Sequence, residues 1–280
     1  MDFFHVPKDD KMRHQEGVYS FKDFDQGKLR VILLDNRYHR DEYANKSGDF
    51  LGDVQWSWLH DTLATSSARV NLIVSGLQVL PDSYLRSRTE AWSKLPLARL
   101  RLLNMIAESD ASGILLISGD VHFSELMSAT CRCDSNVSFE LPEVTSSGMT
   151  HSWATYPQIL HWGMETFMRL TAVPYQIRHQ FYLRMNFGEI VICDNSLDVK
   201  IMSSEGTEVL SNSFFLSNMK QVGRSTGCLC EPTHRRKDLW QVIILAGLWI
   251  CCCFLPIIAT CTFMLSLPAM SSHSPKTKKE

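Results

Sequence analysis

The chain has 280 residues, of which 45% are hydrophobic and 21% are charged, and its formal net charge is −2. These proportions are ordinary for a globular protein and allow one large domain or two small ones. The small net charge gives no indication of a nucleic-acid partner, and we expect none. The sequence has no internal repeat, no glycine-rich phosphate loop and no zinc-finger cysteine spacing.

Strands and helices are predicted in alternation along the first part of the chain. Short apolar, β-branched runs predict buried strands at 29–35, 70–76 and 114–118. One helix is predicted from Asp53, and a second from near Pro96, since proline suits a first helical turn. This strand–helix–strand–helix–strand order predicts crossover connections and an at least partly parallel sheet, which places the chain in the α/β class.

The third strand runs into the motif Gly119-Asp120-Val121-His122. Ligands gather beyond the carboxyl ends of strands in open α/β sheets, and Asp120 and His122 would point the same way on a continuing strand. A carboxylate and an imidazole suit Zn, Fe or Mn. The motif therefore predicts a metal site, and a turn capped by Asp120 is the alternative.

Three further side chains are candidates for the same site. Arg37 has a fork that suits a phosphate oxygen, although an ion pair with Asp35 or Asp41 is the simpler interpretation. Gln78 follows the second strand, where turn hydrogen bonding would explain it equally well. His151 lies in a predicted loop that could face the metal site.

Shorter strands are predicted after residue 125, at 126–130, 139–145, 188–194 and 197–203. The intervening segment 152–173 is rich in Trp, Tyr and Met. We interpret it as a loop or helix that covers the site.

The C-terminal part has an unusual composition, because residues 239–270 contain no Asp, Glu, Lys, Arg or His. This predicts a transmembrane helix at 239–267, preceded by a polar linker at 216–238 and followed by a basic tail at 268–280. We therefore expect a single-pass membrane protein with the lipid bilayer as a partner. Basic residues flank the predicted span almost equally, so its orientation stays open.

The cysteines outside the apolar segment include two closely spaced pairs, within 131–133 and 228–230. Their spacing is too short for the usual zinc site. Cross-paired disulfides in an oxidising lumen and free thiols in the cytosol are both compatible with the sequence. Asn45 and Asn136 begin glycosylation sequons, which matter only if the globular part is lumenal.

Five ordered motifs resemble those of PhoD-like alkaline phosphatases. They are a Leu-Asp-x-Arg strand within 31–41, a Gly-x-x-Gln-Trp-x-Trp-Leu helix at 51–59, Ser-Gly-Leu-Gln-Val-Leu-Pro at 75–81, Gly-Asp-Val-His-Phe-Ser-Glu at 119–125, and Glu-Val-Thr-Ser-Ser-Gly-Met-Thr-His at 143–151. The resemblance implies a calcineurin-like metallophosphatase domain over residues 1–215. That fold is an α/β/β/α sandwich, with two sheets packed face to face and helices outside.

The resemblance also implies metal-dependent hydrolysis of a phosphate ester at a two-metal centre. Asp120 and His122 match the last metal-binding motif of the family and are the expected catalytic and metal-ligating residues. Two ions are implied, drawn from Fe, Zn, Mn or Ca. Arg37, Gln78 and His151 are the candidates for contacts with the phosphate-ester substrate.

The sequence departs from the family pattern at its N-terminal side. Gly-Asp-x-x-Tyr and Asp-Asp-His-Asp segments carry the family's first metal ligands, and neither occurs in this sequence. We therefore expect an N-terminally truncated member whose sandwich is incomplete on that side, and little or no activity from the 280 residues alone. Two functions stay open: a membrane-anchored phosphatase, or a truncated, inactive member with a binding or interaction role at a membrane.

Overall fold

A computed structural model describes residues 5–82, 90–134, 136–170, 175–220, 223–233 and Gly247. The contacts divide the chain into two units, Met1–Arg236 and Lys237–Glu280. Gly247 is the one described residue of the second unit.

The first unit contains eleven strands and three α-helices among its described residues. The strands are β1 (Ser20–Phe24), β2 (Leu29–Leu33), β3 (Val70–Val74), β4 (Ile114–Ser118), β5 (Ser124–Arg132), β6 (Ser138–Ser146), β7 (Gln176–Tyr182), β8 (Asn186–Ile192), β9 (Ser196–Ser203), β10 (Glu208–Phe215) and β11 (Leu229–Pro232). The helices are α1 (Gly52–Ala64), α2 (Pro96–Glu108) and α3 (Gln158–Leu170).

The larger sheet has the strand order β1-β2-β3-β4-β6-β5-β11, with β7 also paired to β5. Its centre is parallel, because β2, β3, β4 and β6 are successive parallel neighbours. The helix α1 connects β2 to β3, and α2 connects β3 to β4. The parallel pairing predicted from the alternation of strands and helices is therefore confirmed, and the carboxyl ends of four strands meet at one edge.

One face of the larger sheet packs against α1 and α2. Side chains that alternate along the strands, such as Ile32, Ile73 and Leu116, are fully buried on this face. They belong to one apolar cluster with Trp56 of α1 and Leu102 of α2. Proline begins α2, as the sequence predicts.

The opposite face packs against a second, antiparallel sheet with the order β10-β9-β8. Leu72 and Leu115 of the larger sheet form a cluster with Leu197, Val199 and Ile201 of β9. These three residues and Ser203 are the buried half of a strict alternation along β9. The structure is therefore a mixed α/β fold in which two sheets pack face to face and α1 and α2 lie outside the larger one. The predicted α/β/β/α sandwich has helices outside both sheets and needs correction to this arrangement.

The strand β11 is tied to β5 by two disulfides. Cys230 lies opposite Cys131 in the antiparallel register. The bonds join Cys131 to Cys230 and Cys133 to Cys228. The structure thus selects the cross-paired alternative, and it places a sheet strand inside the segment 216–238 that we interpreted as a polar linker.

The predictions of a C-terminal transmembrane helix and a single-pass membrane localisation need correction. No helix within the described ranges is long and apolar enough to cross a bilayer. Each of α1, α2 and α3 has 13 residues, or about 20 Å of helix against a hydrocarbon core of about 30 Å. Both predictions were based only on the absence of charged residues from the segment 239–270. Apart from Gly247, that apolar segment and the predicted tail at 268–280 lie outside the described residues.

Candidate functional site

The candidate site lies at the edge of the larger sheet where its four parallel strands end. Arg37 follows β2, Gly76 follows β3, Asp120 and His122 follow β4, and Ser147 follows β6. Polar groups from separate parts of the chain meet there because parallel strands present their carboxyl ends on the same side.

The loop after β4 is a tight turn rather than a continuing strand. The strand ends at Ser118, and Asp120 and His122 both adopt left-handed backbone conformations, with φ of 72° and 61°. Such conformations cost roughly 1–3 kcal/mol each for residues other than glycine and persist where the surroundings impose them. Asp120 and His122 therefore do not lie on a continuing strand, and the common direction expected for their side chains does not follow.

Two neighbouring segments hold this turn in place. The hydroxyl of Ser147 accepts a hydrogen bond from the backbone N–H of His122 at 3.2 Å. The indole Nε1 of Trp153 donates to the carbonyl of Val121 at 3.3 Å. The strained turn is thus fixed by β6 and by the segment that leads into α3, so residues 119–122 do not determine the site geometry by themselves.

The guanidinium of Arg37 lies beside the carboxylate of Asp120. The distance from Arg37 Nη2 to Asp120 Oδ1 is 3.6 Å, and Nη1 lies 2.5 Å from Glu90 Oε2. Burial lowers the pKa of Arg37, but the carboxylates of Glu90 and Asp120 outweigh it and raise that pKa above its usual value. Arg37 is therefore a permanent, half-exposed cation at the edge of the site.

Asp35 organises the turn that carries Arg37. Its carboxylate accepts hydrogen bonds from the backbone N–H groups of Arg37, Tyr38 and Val18 at 2.8, 3.0 and 2.9 Å. Burial raises the pKa of Asp35, but these three bonds prevail and hold it below its usual value. Asp35 is thus committed to the backbone, and the partners of Arg37 are Glu90 and Asp120 instead of the Asp35 or Asp41 that we considered.

His151 lies next to His122. The two imidazole rings meet edge to face, with centroids 4.4 Å apart and an interplanar angle of 70°. His151 is exposed, and its Nδ1 lies 3.1 Å from the hydroxyl of Thr150. The structure thus brings His151 to the predicted pair.

Gln78 lies inside the fold and away from the exposed edge. Its side chain is fully buried, and its amide Nε2 donates to Glu125 Oε1 at 2.6 Å and to Thr145 Oγ1 at 2.9 Å. Glu125 in turn accepts a hydrogen bond from the amide of Gln176 at 2.8 Å. Gln78 belongs to a buried polar network that joins β3, β5, β6 and β7.

A second buried carboxylate supports the loop after β3. Glu143 of β6 accepts hydrogen bonds from the backbone N–H groups of Val79 and Leu80 at 2.9 and 2.6 Å. Complete burial raises the pKa of Glu143. Sequence reasoning missed this role, although a glutamate inside the apolar run of β6 is the kind of signal that indicates a paired buried charge.

The described residues do not supply a complete two-metal centre. Asp120 and His122 offer a carboxylate and an imidazole, and His151 offers a second imidazole near them. No group of three or more His, Cys, Asp or Glu residues that could hold a metal ion occurs in the described part of the chain. A cation at Asp120 would also meet the like charge of Arg37.

Comparison with known proteins gives a consistent result. A family model described as PhoD-like phosphatase matches residues 3–188. Alkaline phosphatase D of Bacillus subtilis (strain 168) is 26% identical over 123 residues, which cover 37% of this chain and 21% of that protein.

Two solved structures also match this chain. A structure of PhoD matches with a TM-score of 0.54 and 16% identity, over 75% of this chain and 44% of that one. A purple acid phosphatase from seeds of yellow lupin (Lupinus luteus) matches with a TM-score of 0.43 and 15% identity, over 75% and 34%. The chain thus spans less than half the length of each of these relatives.

Proposed function

The chain belongs to the PhoD-like phosphatase family, and from that premise we propose that it binds phosphate esters for hydrolysis at the carboxyl edge of its larger sheet. The observation that carries the proposal is the position of the Arg37 guanidinium, 3.6 Å from Asp120 in the turn that also holds His122. A cationic fork beside two metal-ligating side chains can bind phosphoryl oxygens and position them next to a metal ion.

Each side chain has a distinct proposed role. Arg37 binds non-bridging phosphate oxygens, and Glu90 orients the guanidinium from the side away from Asp120. Asp120 and His122 each supply one metal ligand. His151, whose ring lies 4.4 Å from that of His122 between centroids, is the proposed further contact to the substrate.

The same geometry favours a second candidate function. Since the described residues lack a group of three metal ligands, the 280-residue chain is also compatible with an inactive family member that binds phosphorylated ligands without hydrolysing them. We expect little or no turnover from this chain alone in either case, because Asp120 and His122 are only part of a binuclear ligand set.

Phosphate binding with and without metal tests the proposed site. Inorganic phosphate is titrated into the full chain with excess Mn²⁺ or with a chelator, and the dissociation constant is measured by calorimetry. Replacing Asp120→Asn removes a negative charge, so phosphate binding in the chelator should strengthen. With Mn²⁺ the same variant should bind phosphate roughly tenfold more weakly, a difference of about 1.4 kcal/mol.

Stronger phosphate binding in the chelator together with weaker binding in Mn²⁺ is expected only if the Asp120 carboxylate binds a metal ion. The matched control is Asp194→Asn, which removes an exposed carboxylate from the turn between β8 and β9 and should change neither constant. If Asp120→Asn changes phosphate affinity equally under both conditions, the proposed metal role of Asp120 is wrong.

Activity tests whether the ligand set of this chain is sufficient for hydrolysis. Hydrolysis of p-nitrophenyl phosphate is measured with Mn²⁺, Zn²⁺, Fe³⁺ or Ca²⁺ for the full chain and for His122→Ala. Turnover that the variant abolishes would establish the phosphatase and contradict the expected incompleteness of the centre. Metal-dependent phosphate binding without turnover is the result we expect, since Asp120 and His122 are only part of a binuclear ligand set.

A further inference from the structure

The two disulfides indicate the compartment in which this fold is completed. They join strands far apart in the chain, with sequence separations of 99 and 95 residues. Cys131 and Cys133 are both buried. Each bond forms when a thiol pair passes two electrons and two protons to a disulfide-bearing oxidant, a reaction typical of the secretory lumen. The cross-linked structure therefore fits a domain that folds in an oxidising lumen.

The sequon at Asn136 lies beside one of these disulfides. Asn136, Val137 and Ser138 are all exposed. They belong to the hairpin between β5 and β6, in which the backbone N–H of Asn136 donates to the carbonyl of Cys133 at 3.1 Å. Asn136 has a left-handed backbone conformation, with φ of 58°, and is exposed to solvent.

The sequon at Asn45 lies in a second exposed turn, in the segment between β2 and α1. Asn45, Lys46 and Ser47 are all exposed. The Asn45 Oδ1 accepts a hydrogen bond from the backbone N–H of Ser47 at 3.2 Å. This local bond uses the amide oxygen of Asn45 and not its amide nitrogen, which is the atom that would be modified.

We propose that Asn45 and Asn136 are N-glycosylation sites of this protein. Exposure in turns and an oxidising lumen are independent conditions for this modification. The two asparagines meet the first, and the two disulfides support the second. These two are also the sequence's complete set of Asn-x-Ser/Thr sites. The donor is an oligosaccharide on a polyprenyl pyrophosphate.

The transfer step is a substitution at the sugar. The amide Nδ2 forms a bond to the anomeric carbon, and the bond from that carbon to the pyrophosphate oxygen breaks. The lipid pyrophosphate leaves with the electron pair, and one amide proton passes to a base.

The order of events favours modification at Asn136. Cys133 pairs with Cys228, which is synthesised 95 residues later. The hairpin sequon therefore enters the lumen and meets the glycosylating enzyme before the disulfide can close beside it. A glycan at this tip would then remain compatible with the folded sheet.

Residue-level mass spectrometry tests the proposal. The full chain is expressed behind a cleavable secretory leader in eukaryotic cells. It is then digested without reduction and treated with peptide:N-glycosidase in heavy-oxygen water. We expect the glycan-removal label at Asn45 and Asn136, together with peptides linked through Cys131–Cys230 and Cys133–Cys228.

Hydroxyl-removing variants sharpen the assignment. Ser47→Ala and Ser138→Ala should each remove one glycan from the intact mass, because the sequon hydroxyl is needed for transfer. The control Asn195→Gln changes an exposed asparagine followed by Ser-Leu, which is not a sequon, and should leave the mass shift unchanged. Translation with microsomes provides the same readout for any variant that fails to fold.

Three results would overturn the proposal. A secreted, correctly cross-linked chain with both asparagines unmodified would refute it outright. Occupancy of one asparagine would refute the assignment of the other. Free thiols at all four cysteines in the secreted chain would remove the argument for an oxidising lumen.

Discussion

The two ends of β5 are stabilised in different ways. At its first residues, next to the His122 turn, the strand is held by hydrogen bonds from buried polar side chains, including those of Glu125 with Gln78 and Gln176. At its last residues, Cys131 is covalently joined to β11. The first end, where the candidate site lies, depends on hydrogen bonds whose strength changes with protonation, and we call it the adjustable end. The last end is held by a covalent bond that does not depend on protonation, and we call it the fixed end.

The largest expected effect comes from breaking the fixed end. Replacing Cys228→Ser and Cys230→Ser together should lower the free energy of unfolding by about 4 kcal/mol, since loops of 95 and 99 residues lose their closure. Either single replacement should cost far less than half of this, because the remaining disulfide closes nearly the same loop. Urea denaturation of the oxidised chain measures both quantities.

The control for this series is Cys193→Ser, which replaces a free thiol in the turn after β8. Its unfolding free energy should stay within about 0.5 kcal/mol of the parent value. Equal, additive losses from the two single variants would contradict the expectation that the disulfides share one loop.

A somewhat smaller effect is expected from the adjustable end. Glu143→Ala leaves the buried N–H groups of Val79 and Leu80 without their acceptor. At about 1–3 kcal/mol for each unsatisfied group, the unfolding free energy should fall by roughly 3 kcal/mol. Glu143→Gln retains one acceptor oxygen and should lose less. If both variants unfold at the same urea concentration as the parent chain, the buried network is not what holds the loop after β3.

The candidate-site edge and the disulfide-linked end of β5 should also differ in their response to acid, because Asp35 supports the turn that carries Arg37. The pKa of Asp35 lies below its usual value, so its stabilising contribution is present above the unfolded pKa of about 4 and is lost as the pH falls through the folded pKa. Asp35→Asn should therefore cost about 2 kcal/mol at pH 7 and progressively less below pH 4.

Urea denaturation at several pH values measures this contribution. The shift of Glu143 has the opposite direction: its contribution is present at low pH and is lost as the pH rises through its raised pKa. A constant difference between Asp35→Asn and the parent chain from pH 7 to pH 3 would contradict the proposed role of the Asp35 carboxylate. The exposed Asp61 of α1 offers a matched control, Asp61→Asn.

The smallest effect on stability is expected at Arg37. Its ion pairs with Glu90 and Asp120 are partly exposed, so Arg37→Ala should change the unfolding free energy by less than about 1 kcal/mol. The same variant should weaken phosphate binding roughly tenfold, because a charged fork is lost. A large loss of stability without a change in phosphate affinity would identify Arg37 as a structural residue instead.

The sequence predicts strands and helices better than it predicts which side chains contact one another in the fold. The parallel order of the central strands follows from local patterns and is confirmed by the register. The position of Asp120 and His122 beyond β4 follows equally, although the left-handed turn does not, because Ser147 and Trp153 impose it from other segments. Their role as metal ligands stays a prediction.

Distant partners explain the remaining differences. Gln78 resembles a turn residue locally, but its burial depends on Glu125 and Thr145, which lie 47 and 67 residues further along the chain. The disulfide pairing likewise needed the alignment of β11 with β5. The transmembrane prediction used composition alone, and no described helix supports it.

The disulfides have a mechanical consequence. When tension is applied between the two termini, the disulfide between Cys133 and Cys228 carries the force and the 95 residues between them do not extend. This removes about 330 Å from the length that the stretched chain can reach. Asp120 and His122 lie on the N-terminal side of this shielded loop, whereas Ser147 and His151 lie inside it. We therefore expect a pulling force to break the hydrogen bond between Ser147 and His122 and so to separate the candidate site into two parts. Asp120 and His122 would then lie on a segment that carries the force, and Ser147 and His151 on a segment that does not.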